Sequence, residues 1–247
     1  MRKIEQHKKN WETLGEVDPL WAVLSDNSKR FNNWDLDDFI KTGELEVGNV
    51  LNQLKILVPE LNREEMLDFG CGVGRLARYF LKYFQKYNGT DISENMIKKA
   101  REINSAYNTE FFVNYADLKI FPDNKFDFIY SGIVLQHLPN KEFIKKYILE
   151  FKRILKAQGV LVFQVPSKIP WTYRFQPVRR LYNFLKFLGF SEKFLYQKIG
   201  LYPIKMSFIP ESDMRKFLRD SGFEVLAIKE DTYCGPRVQS RTYYCRK

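Results

Sequence analysis

The stretch Leu67-Asp68-Phe69-Gly70-Cys71-Gly72-Val73-Gly74-Arg75 joins an apolar run to a helical segment through three glycines spaced G-x-G-x-G. Glycine permits backbone conformations that are closed to other residues and lets a ligand approach the main chain. A helix that begins after such a loop offers free N–H groups to that ligand. The stretch therefore predicts a cofactor-binding loop between a strand and a helix.

The carboxylate of Asp68, two residues before Gly70, narrows the choice of ligand. Helix N-termini and P-loops attract bare phosphates, whereas a carboxylate at the strand end suits a ligand with a cationic group. A dinucleotide loop of the form G-x-G-x-x-G would need glycine at position 75, where Arg75 stands. The pattern Asp-x-Gly-x-Gly-x-Gly resembles the cofactor motif of class I S-adenosylmethionine (SAM) dependent methyltransferases.

That resemblance implies SAM as the cofactor and S-adenosyl-L-homocysteine as its product. It assigns cofactor contacts to Asp68, Gly70, Cys71, Gly72 and Gly74. A nucleophilic thiol is a second interpretation of Cys71, because a helix N-terminus lowers a thiol pKa. We favour a small residue that fits under the cofactor, since glycines stand on both sides of it.

Short apolar runs alternate with helical segments from residue 65 onward, which indicates a parallel sheet built from βαβ units. Strands are predicted near 65–69, 87–91, 110–114, 126–131 and 159–165, and helices near 75–86, 93–104 and 141–156. A helix at 210–221 and strands at 223–229 and 241–246 follow. The expected fold is α/β: a Rossmann-like, seven-stranded, mostly parallel sheet with helices on both faces, an N-terminal helical cap and a helical lid inserted after strand five.

A single domain spanning 1–247 is favoured over two small ones, with 45% hydrophobic residues to build the core. Its parts are the cap 1–57, a SAM-binding core 58–165, the lid 166–208, and a C-terminal helix and strand pair 209–247. No apolar run is long enough for a membrane span, and a charged segment opens the chain, so a cytoplasmic protein is expected. The three cysteines form no C-x-x-C pair, so no metal site is expected.

Two further carboxylates follow the second and third predicted strands. Asp91 lies seventeen residues beyond Gly74, where a carboxylate can accept both ribose hydroxyls. The alternative role, capping the next helix, is better filled by Ser93. Ile92 and Met96 are then expected to line the adenine.

The resemblance makes Asp117 the carboxylate that faces the adenine amino group, with the Leu118 backbone beside it. An Asx turn is the alternative for Asp117. Acids after three successive strands together favour SAM as the cofactor.

The segment after the fourth predicted strand resembles the part of small-molecule methyltransferases that borders the site of methyl transfer. Ser131 and Gln136 are assigned to the cofactor there. His137 is the candidate general base for a hydroxyl acceptor, because a side-chain pKa near neutrality suits proton removal. His7, the only other histidine, stands in the charged N-terminal helix. Alternatives remain: His137 could only hydrogen-bond a loop, and many methyltransferases rely on proximity.

The lid carries most of the net charge of the chain. Residues 166–208 hold eight Lys or Arg against Glu192 alone, which gives +7 of the total +10. This distribution indicates one local basic surface. Three interpretations compete: a lid that encloses a small or medium-sized acceptor, a surface for an anionic membrane or an acidic or lipid-linked acceptor, and nucleic-acid binding. Nucleic acid ranks last, because no RNA-binding module and no Asn/Asp-Pro-Pro-Tyr motif occurs.

Four residues are candidates for acceptor contact: Trp34, Tyr173, Arg174 and Arg179. Trp34 has core packing as its alternative role. The sequence thus favours SAM-dependent methyl transfer to a small or medium-sized, acidic or lipid-linked acceptor, with oxygen the favoured acceptor atom. RNA or protein methylation and non-catalytic SAM binding are the alternatives. No oligomeric state follows from the sequence.

Overall fold

Seven strands form one mixed sheet in the computed structural model, which describes residues 2–247. The strands are β1 Glu65–Phe69, β2 Lys86–Asp91, β3 Thr109–Val113, β4 Phe126–Ser131, β5 Leu155–Lys168, β6 Glu224–Asp231 and β7 Gln239–Arg246. Their order is β3-β2-β1-β4-β5-β7-β6, with β1 to β5 parallel and β7 antiparallel to both of its neighbours. The predicted α/β class and the seven-stranded, mostly parallel sheet are confirmed.

Ten α-helices are present in residues 2–247. They are α1 Arg2–Val17, α2 Pro19–Val23, α3 Leu36–Leu57, α4 Ala77–Phe80, α5 Glu94–Ile103, α6 Lys141–Ile154, α7 Trp171–Arg174, α8 Pro177–Phe187, α9 Glu192–Gln197 and α10 Glu211–Asp220. Side-chain caps start several of them: Asp35 accepts from the N–H of Asp38, and Asn140 from that of Phe143. Among these helices, none combines the length and hydropathy that crossing a bilayer requires.

The helix predicted at 75–86 is much shorter than expected. Only Ala77–Phe80 is α-helical, and turns precede and follow it. Around it, several hydrogen bonds run from N–H groups to the carbonyl three residues back, as from Tyr79 to Leu76 and from Tyr83 to Phe80. This tighter winding brings Phe80 and Phe84 onto the sheet, where both pack against Phe128.

Strand β5 is longer than predicted, because it begins directly after α6. Phe126 pairs with Leu155 and Phe128 with Val160, so a bulge accommodates the extra residues. Gln158, with φ of 64°, turns the chain within that bulge. The far end of β5 runs on to Lys168 and reaches the lid.

Buried side chains cover both faces of the sheet. One cluster joins α6 and α10 to the strands through Phe151, Leu161 and Met214, and another joins α3 to them through Leu51 and Phe128. The predicted cap 1–57 is therefore divided: α3 is part of the sheet core, whereas α1 and α2 lie over the glycine loop. Each of these large side chains stabilises the fold by about 1.5–3 kcal/mol on burial.

Candidate cofactor and acceptor site

A cavity of about 1090 Å³ opens at the carboxyl ends of β1, β2, β3 and β4. Its wall combines the glycine loop with residues of α1 and α2, the first lid helices, and the loop between β6 and β7. Ligands of open α/β sheets bind at this edge, where the strand order reverses. The fold thus brings residues from distant parts of the chain to one site.

The glycine loop is shaped by close packing as well as by its turns. Gly70 and Gly72 have φ values of 77° and 52°, in the region that favours glycine. A Cβ atom at Gly70 would lie 2.3 Å from Cγ2 of Val134, and one at Gly72 would lie 2.5 Å from Cγ2 of Val23. Glycine at both positions therefore lets the loop pass under the second and fourth βα connections and the cap.

Asp91 is held at the cavity wall by two backbone donors. The N–H of Gly72 donates to Oδ2 at 3.0 Å, and the N–H of Ser93 donates to Oδ1 at 2.9 Å. Burial raises the pKa of this carboxyl to about 6. Ser93 caps α5, as expected, and the neighbouring Ile92 and Met96 line the cavity. The structure thus brings Asp91 and its predicted partners together with the loop.

Asp68 also lines the cavity, below the glycine loop. Its Oδ2 accepts a hydrogen bond from the Tyr87 hydroxyl at 2.6 Å. Burial raises the pKa of Asp68 to about 7, and the nearby charge of Glu46 acts in the same direction. A cationic group in the cavity would favour the ionised carboxylate. Cys71, beside it, is buried, and burial raises the pKa of its thiol well above the ordinary value.

Arg75 and Glu46 form a buried ion pair that the sequence did not reveal. Nη2 of Arg75 lies 2.5 Å from Oε2 of Glu46, while the Tyr130 hydroxyl donates to Oε1 of Glu46 at 2.7 Å. Both charged residues line the cavity. Glu46 lies in α3, and the sequence of this helix indicated only an apolar face at helical spacing. Arg75, which stands where a dinucleotide loop would need glycine, therefore also connects the glycine loop to α3.

His137 lies at the opposite wall in a defined hydrogen-bonding state. Its Nδ1 is 2.7 Å from the carbonyl oxygen of Lys205, which only accepts, so Nδ1 carries the proton. Nε2 then accepts from the side-chain amide of Gln136 at 3.2 Å. Burial lowers the pKa of His137 to about 4, so the ring is neutral near pH 7 but is a weaker base than the near-neutral pKa expected from the sequence would make it. Gln136 lines the cavity as predicted.

The Gln136 side chain is fixed in turn by a buried polar network. Its Oε1 accepts from Nε2 of Gln164 and from the Cys234 thiol. Oε1 of Gln164 accepts the N–H of Ile133, whose φ of 61° is unusual for a β-branched residue. Such strain persists only where surrounding contacts impose it. Neither Gln164 nor Cys234 had a sequence signal, since their partners are distant along the chain.

Several predicted site residues lie outside the cavity wall. They are Gly74, Asp117, Leu118, Ser131 and Arg174. The Ser131 hydroxyl donates to the carbonyl of Phe69 in the adjacent strand, and Gly74 packs on Asn104. Arg174 stacks its guanidinium over the Phe208 ring on the outside of the lid.

The assignment of Asp117 and Leu118 to adenine is not supported by their positions. Asp117 accepts the N–H of Lys119, which is the Asx turn considered as its alternative. The N–H of Leu118 donates to Glu150 on α6, so it is not free for a ligand. Asn114, directly after β3, lines the cavity instead.

Cations and aromatic rings surround the end of the cavity beyond His137. Arg179 and Lys205 are half-buried there, and Tyr173 and Trp11 line the same cavity; the exposed Arg237, in the loop between β6 and β7, lines the cavity as well. Trp11 lies 5.4 Å from the His137 ring, between centroids. Burial lowers the pKa of Arg179, and burial together with Arg179 and Lys3 lowers that of Lys205.

Two residues of the cap also reach this cavity. Trp34 lines it, its indole N–H donates to the carbonyl of Leu24, and its ring packs on Phe39, which is the packing considered as its alternative role. His7, set aside in the sequence, lines the cavity as well. Burial lowers its pKa to about 3, and the charges of His137 and Lys205 act in the same direction. The position of α1 over the cavity carries no local sequence signal.

The sequence is similar to several known methyltransferases. A family model described as "Methyltransferase domain" matches residues 67–163. Phosphoethanolamine N-methyltransferase 1 of Arabidopsis thaliana is 36% identical over 191 residues, which is 68% of this chain and 38% of that enzyme. The chain thus spans well under half of that relative. A ubiquinone/menaquinone biosynthesis C-methyltransferase of Rickettsia massiliae is 27% identical, over 70% of this chain and 73% of its own length.

Solved structures share the fold at low sequence identity. Magnesium protoporphyrin IX methyltransferase from Synechocystis, crystallised with bound SAH, superposes with a TM-score of 0.64 at 21% identity and covers 99% of each chain. A SAM-dependent methyltransferase of Leishmania major gives a TM-score of 0.66 at 12% identity, over 98% of this chain and 82% of that one. The family model thus identifies a methyltransferase domain in residues 67–163, and the sheet order and these solved structures show that the chain has the class I fold of SAM-dependent methyltransferases.

Proposed function

We propose that this chain transfers the methyl group of SAM to a hydroxyl oxygen of a small or medium-sized acidic acceptor. The observation that carries the proposal is the set of unpaired cations at the far end of the cavity. Within residues 2–247, no carboxylate oxygen lies within 4 Å of the charged nitrogens of Arg179, Lys205 or Arg237.

Half-buried cations without a counter-ion favour an anionic ligand, because the ligand replaces lost hydration with charge-assisted hydrogen bonds. Lys205 donates to the carbonyl of Pro139, and Arg179 donates to Oε1 of Gln176 at 3.4 Å. Both side chains keep further donors free. A carboxylate or phosphate on the acceptor fits this end of the cavity, with its reacting atom directed toward the glycine loop.

His137 supplies a neutral base at the same end. The proton on Nδ1 is held by the Lys205 carbonyl, so Nε2 is the atom that can accept a proton. A hydroxyl acceptor would replace the Gln136 amide at Nε2 and lose its proton there as the methyl group is transferred. SAM supplies an activated methyl group on a sulfonium, and the residues around it align the acceptor and exclude water.

Nitrogen is the second candidate for the acceptor atom. The observation that favours it is the 36% identity to an enzyme named as an N-methyltransferase. An amine acceptor with an anionic group would use the same cations and would need His137 only for orientation. The name of the Rickettsia massiliae relative refers to the biosynthesis of a small molecule, a quinone, rather than to RNA or protein.

Tritiated SAM with a cell extract tests the acceptor class. We expect label in an anionic small-molecule or lipid fraction, and mass spectrometry of that product identifies the methylated atom. Label confined to RNA or protein would contradict the proposal. SAM binding without turnover in every fraction would instead indicate a non-catalytic SAM-binding protein.

His137→Ala tests the base with the acceptor found in that way. We expect kcat to fall by about 10²–10⁴-fold while the dissociation constant of SAM stays unchanged, because a general base contributes about that much.

Arg179→Gln tests the cation and should raise KM for the acceptor, and added salt should do the same. Arg174→Ala is the matched control outside the cavity and should leave both parameters unchanged. If kcat is unaltered in His137→Ala, His137 is not the general base, and an amine acceptor is favoured.

A further inference from the structure

The outward side of lid helix α8 is apolar, where a surface helix is ordinarily polar. Tyr182 is buried against the molecule, whereas Leu181, Phe184, Phe187 and Leu188 are exposed, Phe187 by 86%. At 3.6 residues per turn, Leu181, Phe184, Phe187 and the C-cap residue Leu188 fall within an arc of about 120°, so they share one side of the helix. The side chains that would normally form a core thus face away from it.

Aromatic pairs on the neighbouring segments extend this surface. Trp171 and Phe175 pack edge to face with centroids 5.7 Å apart, and Phe190 and Phe194 stack at 5.7 Å. All four rings are exposed, Trp171 by 70%. We call these eight residues, three on α8, Leu188 directly after it and four in the two pairs, the lid face. Exposed apolar side chains grouped in this way mark an interaction surface.

The segment that carries the lid face, residues 166–208, also bears exposed cations without counter-ions. The exposed basic residues are Lys168, Arg174, Arg180, Lys193 and Lys198, and no carboxylate within residues 2–247 pairs with any of them. The guanidinium of Arg180 lies 5.9 Å from the centre of the Phe175 ring. Glu192, the one acid of residues 166–208, is already engaged by Lys186 and by Thr13 of α1.

We propose that the lid face docks on the surface of an anionic phospholipid bilayer. Apolar side chains of an interfacial helix enter the boundary between headgroups and acyl chains, while the basic residues meet the negative headgroups. A second copy of the chain fits less well, because pairing two such faces would bring like charges together. Nucleic acid would match the cations but would leave Leu181, Phe187 and Leu188 without an apolar partner.

Docking in this orientation would place the cavity beside the membrane. The same helix that exposes Phe184 and Phe187 contributes Val178 and Arg179 to the cavity wall. A lipid-linked or amphiphilic acceptor could then enter from the bilayer surface. The docking inference itself does not depend on which acceptor is methylated.

Sedimentation with lipid vesicles tests the inference on the full chain. We expect binding to vesicles of equal parts phosphatidylcholine and phosphatidylglycerol, little binding to phosphatidylcholine alone, and weakening as salt is added. The double variant Phe184→Ser/Phe187→Ser should reduce the partition coefficient by about tenfold per side chain. Arg180→Glu/Lys193→Glu should reduce it by at least about fivefold per cation.

Matched controls separate the lid face from general surface effects. Leu45 and Ile56 on α3 are exposed by 73% and 74%, so Leu45→Ser/Ile56→Ser removes comparable apolar surface elsewhere. Lys41→Glu/Lys98→Glu changes net charge equally at exposed positions away from the lid. Both controls should bind vesicles like the unaltered chain.

Failure of the unaltered chain to sediment with anionic vesicles would overturn the inference. The inference would also be overturned if the control variants lost as much vesicle binding as the lid-face variants do. Analytical ultracentrifugation supplies a further decisive readout: a dimer that Phe184→Ser/Phe187→Ser converts to monomer would assign the lid face to self-association instead.

Discussion

Carboxylates follow three successive strands, but only those of Asp68 and Asp91 reach the cavity. Asp91 could be predicted because it ends β2, and the carboxyl ends of parallel strands meet at one edge of the sheet. Asp117 lies four residues beyond β3, in a loop whose path is set by α6. Arg153 donates to the carbonyls of Leu118 and Phe121, which holds that loop away from the cavity. Such a long-range contact has no local sequence signal.

Asp91→Asn tests this distinction at the level of one carboxylate. We expect SAM to bind about 10- to 100-fold more weakly, because hydrogen bonds to a charged group contribute about 1.5–3 kcal/mol. Isothermal titration calorimetry measures the dissociation constant directly.

Asp117→Asn is the matched control for that measurement. Its carboxylate lies outside the cavity wall and pairs with Lys119, so SAM affinity should stay within about twofold of the unaltered chain, in keeping with its solvent-facing ion pair. A large loss in Asp117→Asn together with an unaffected Asp91→Asn would reverse the two assignments.

Asp68 should make SAM affinity depend on pH. Burial raises its pKa to about 7, and the cationic groups of SAM favour its charged form. Affinity should therefore be highest above pH 7 and should weaken as the pH falls from 7 toward 5. Titration calorimetry at several pH values follows this change.

Asp68→Asn provides the control, since it should weaken binding and leave only the pH dependence that Asp91, with its pKa of about 6, contributes. The stability of the fold without SAM should depend on pH in the opposite direction to SAM affinity: it should decrease as the pH rises. A carboxyl whose folded-state pKa exceeds its unfolded value, 3.8, stabilises the fold at low pH, and this contribution is lost as the pH rises through about 7. Between pH 5 and pH 8, the melting temperature of the unaltered chain should therefore fall further than that of Asp68→Asn.

At the scale of elements, the cap and the lid are joined at Asp18. Its Oδ2 accepts from the backbone N–H groups of Phe31 and Asn32, and from the hydroxyl of Tyr196 on α9 at 2.6 Å. Arg30 lies over the Trp21 ring and donates to the carbonyl of Gly200. This buried junction fixes the lid relative to α2.

Tyr196→Phe should lower the free energy of unfolding by about 1–2 kcal/mol, because it removes a hydrogen bond to a buried carboxylate. Urea denaturation measures the loss. Tyr182→Phe is the matched control, as its hydroxyl bonds to no other residue within 2–247. An equal loss in both variants would show that the hydroxyl of Tyr196 has no special role.

Helices were less predictable than strands. The glycine loop winds tightly into α4, which shortens this helix, and α8 exposes the large apolar side chains of Leu181, Phe184 and Phe187. Helical periodicity identifies a side of a helix but not what covers that side. His7 and Glu46 were missed for the same reason, since each lies on a helix whose placement is decided by tertiary packing.

At the scale of the whole molecule, the sheet was the most predictable feature. Buried parallel strands are short apolar runs separated by helices, and this pattern survives in the sequence regardless of loop conformation. The lid could be located by its charge and its length. Its contacts with α1, through Thr13 and Glu192, could not be predicted, because they join residues 179 positions apart.

The insertion of β7 between β5 and β6 has a consequence for how the chain folds. Residues 239–246 pair with both neighbours along nearly their whole length, so β5 has an open edge until they arrive. During synthesis, the SAM-binding half is complete well before this strand emerges, and an uncovered edge is a template for intermolecular pairing. The nascent protein therefore passes through a stage in which its cofactor loop is assembled while its sheet remains prone to aggregation.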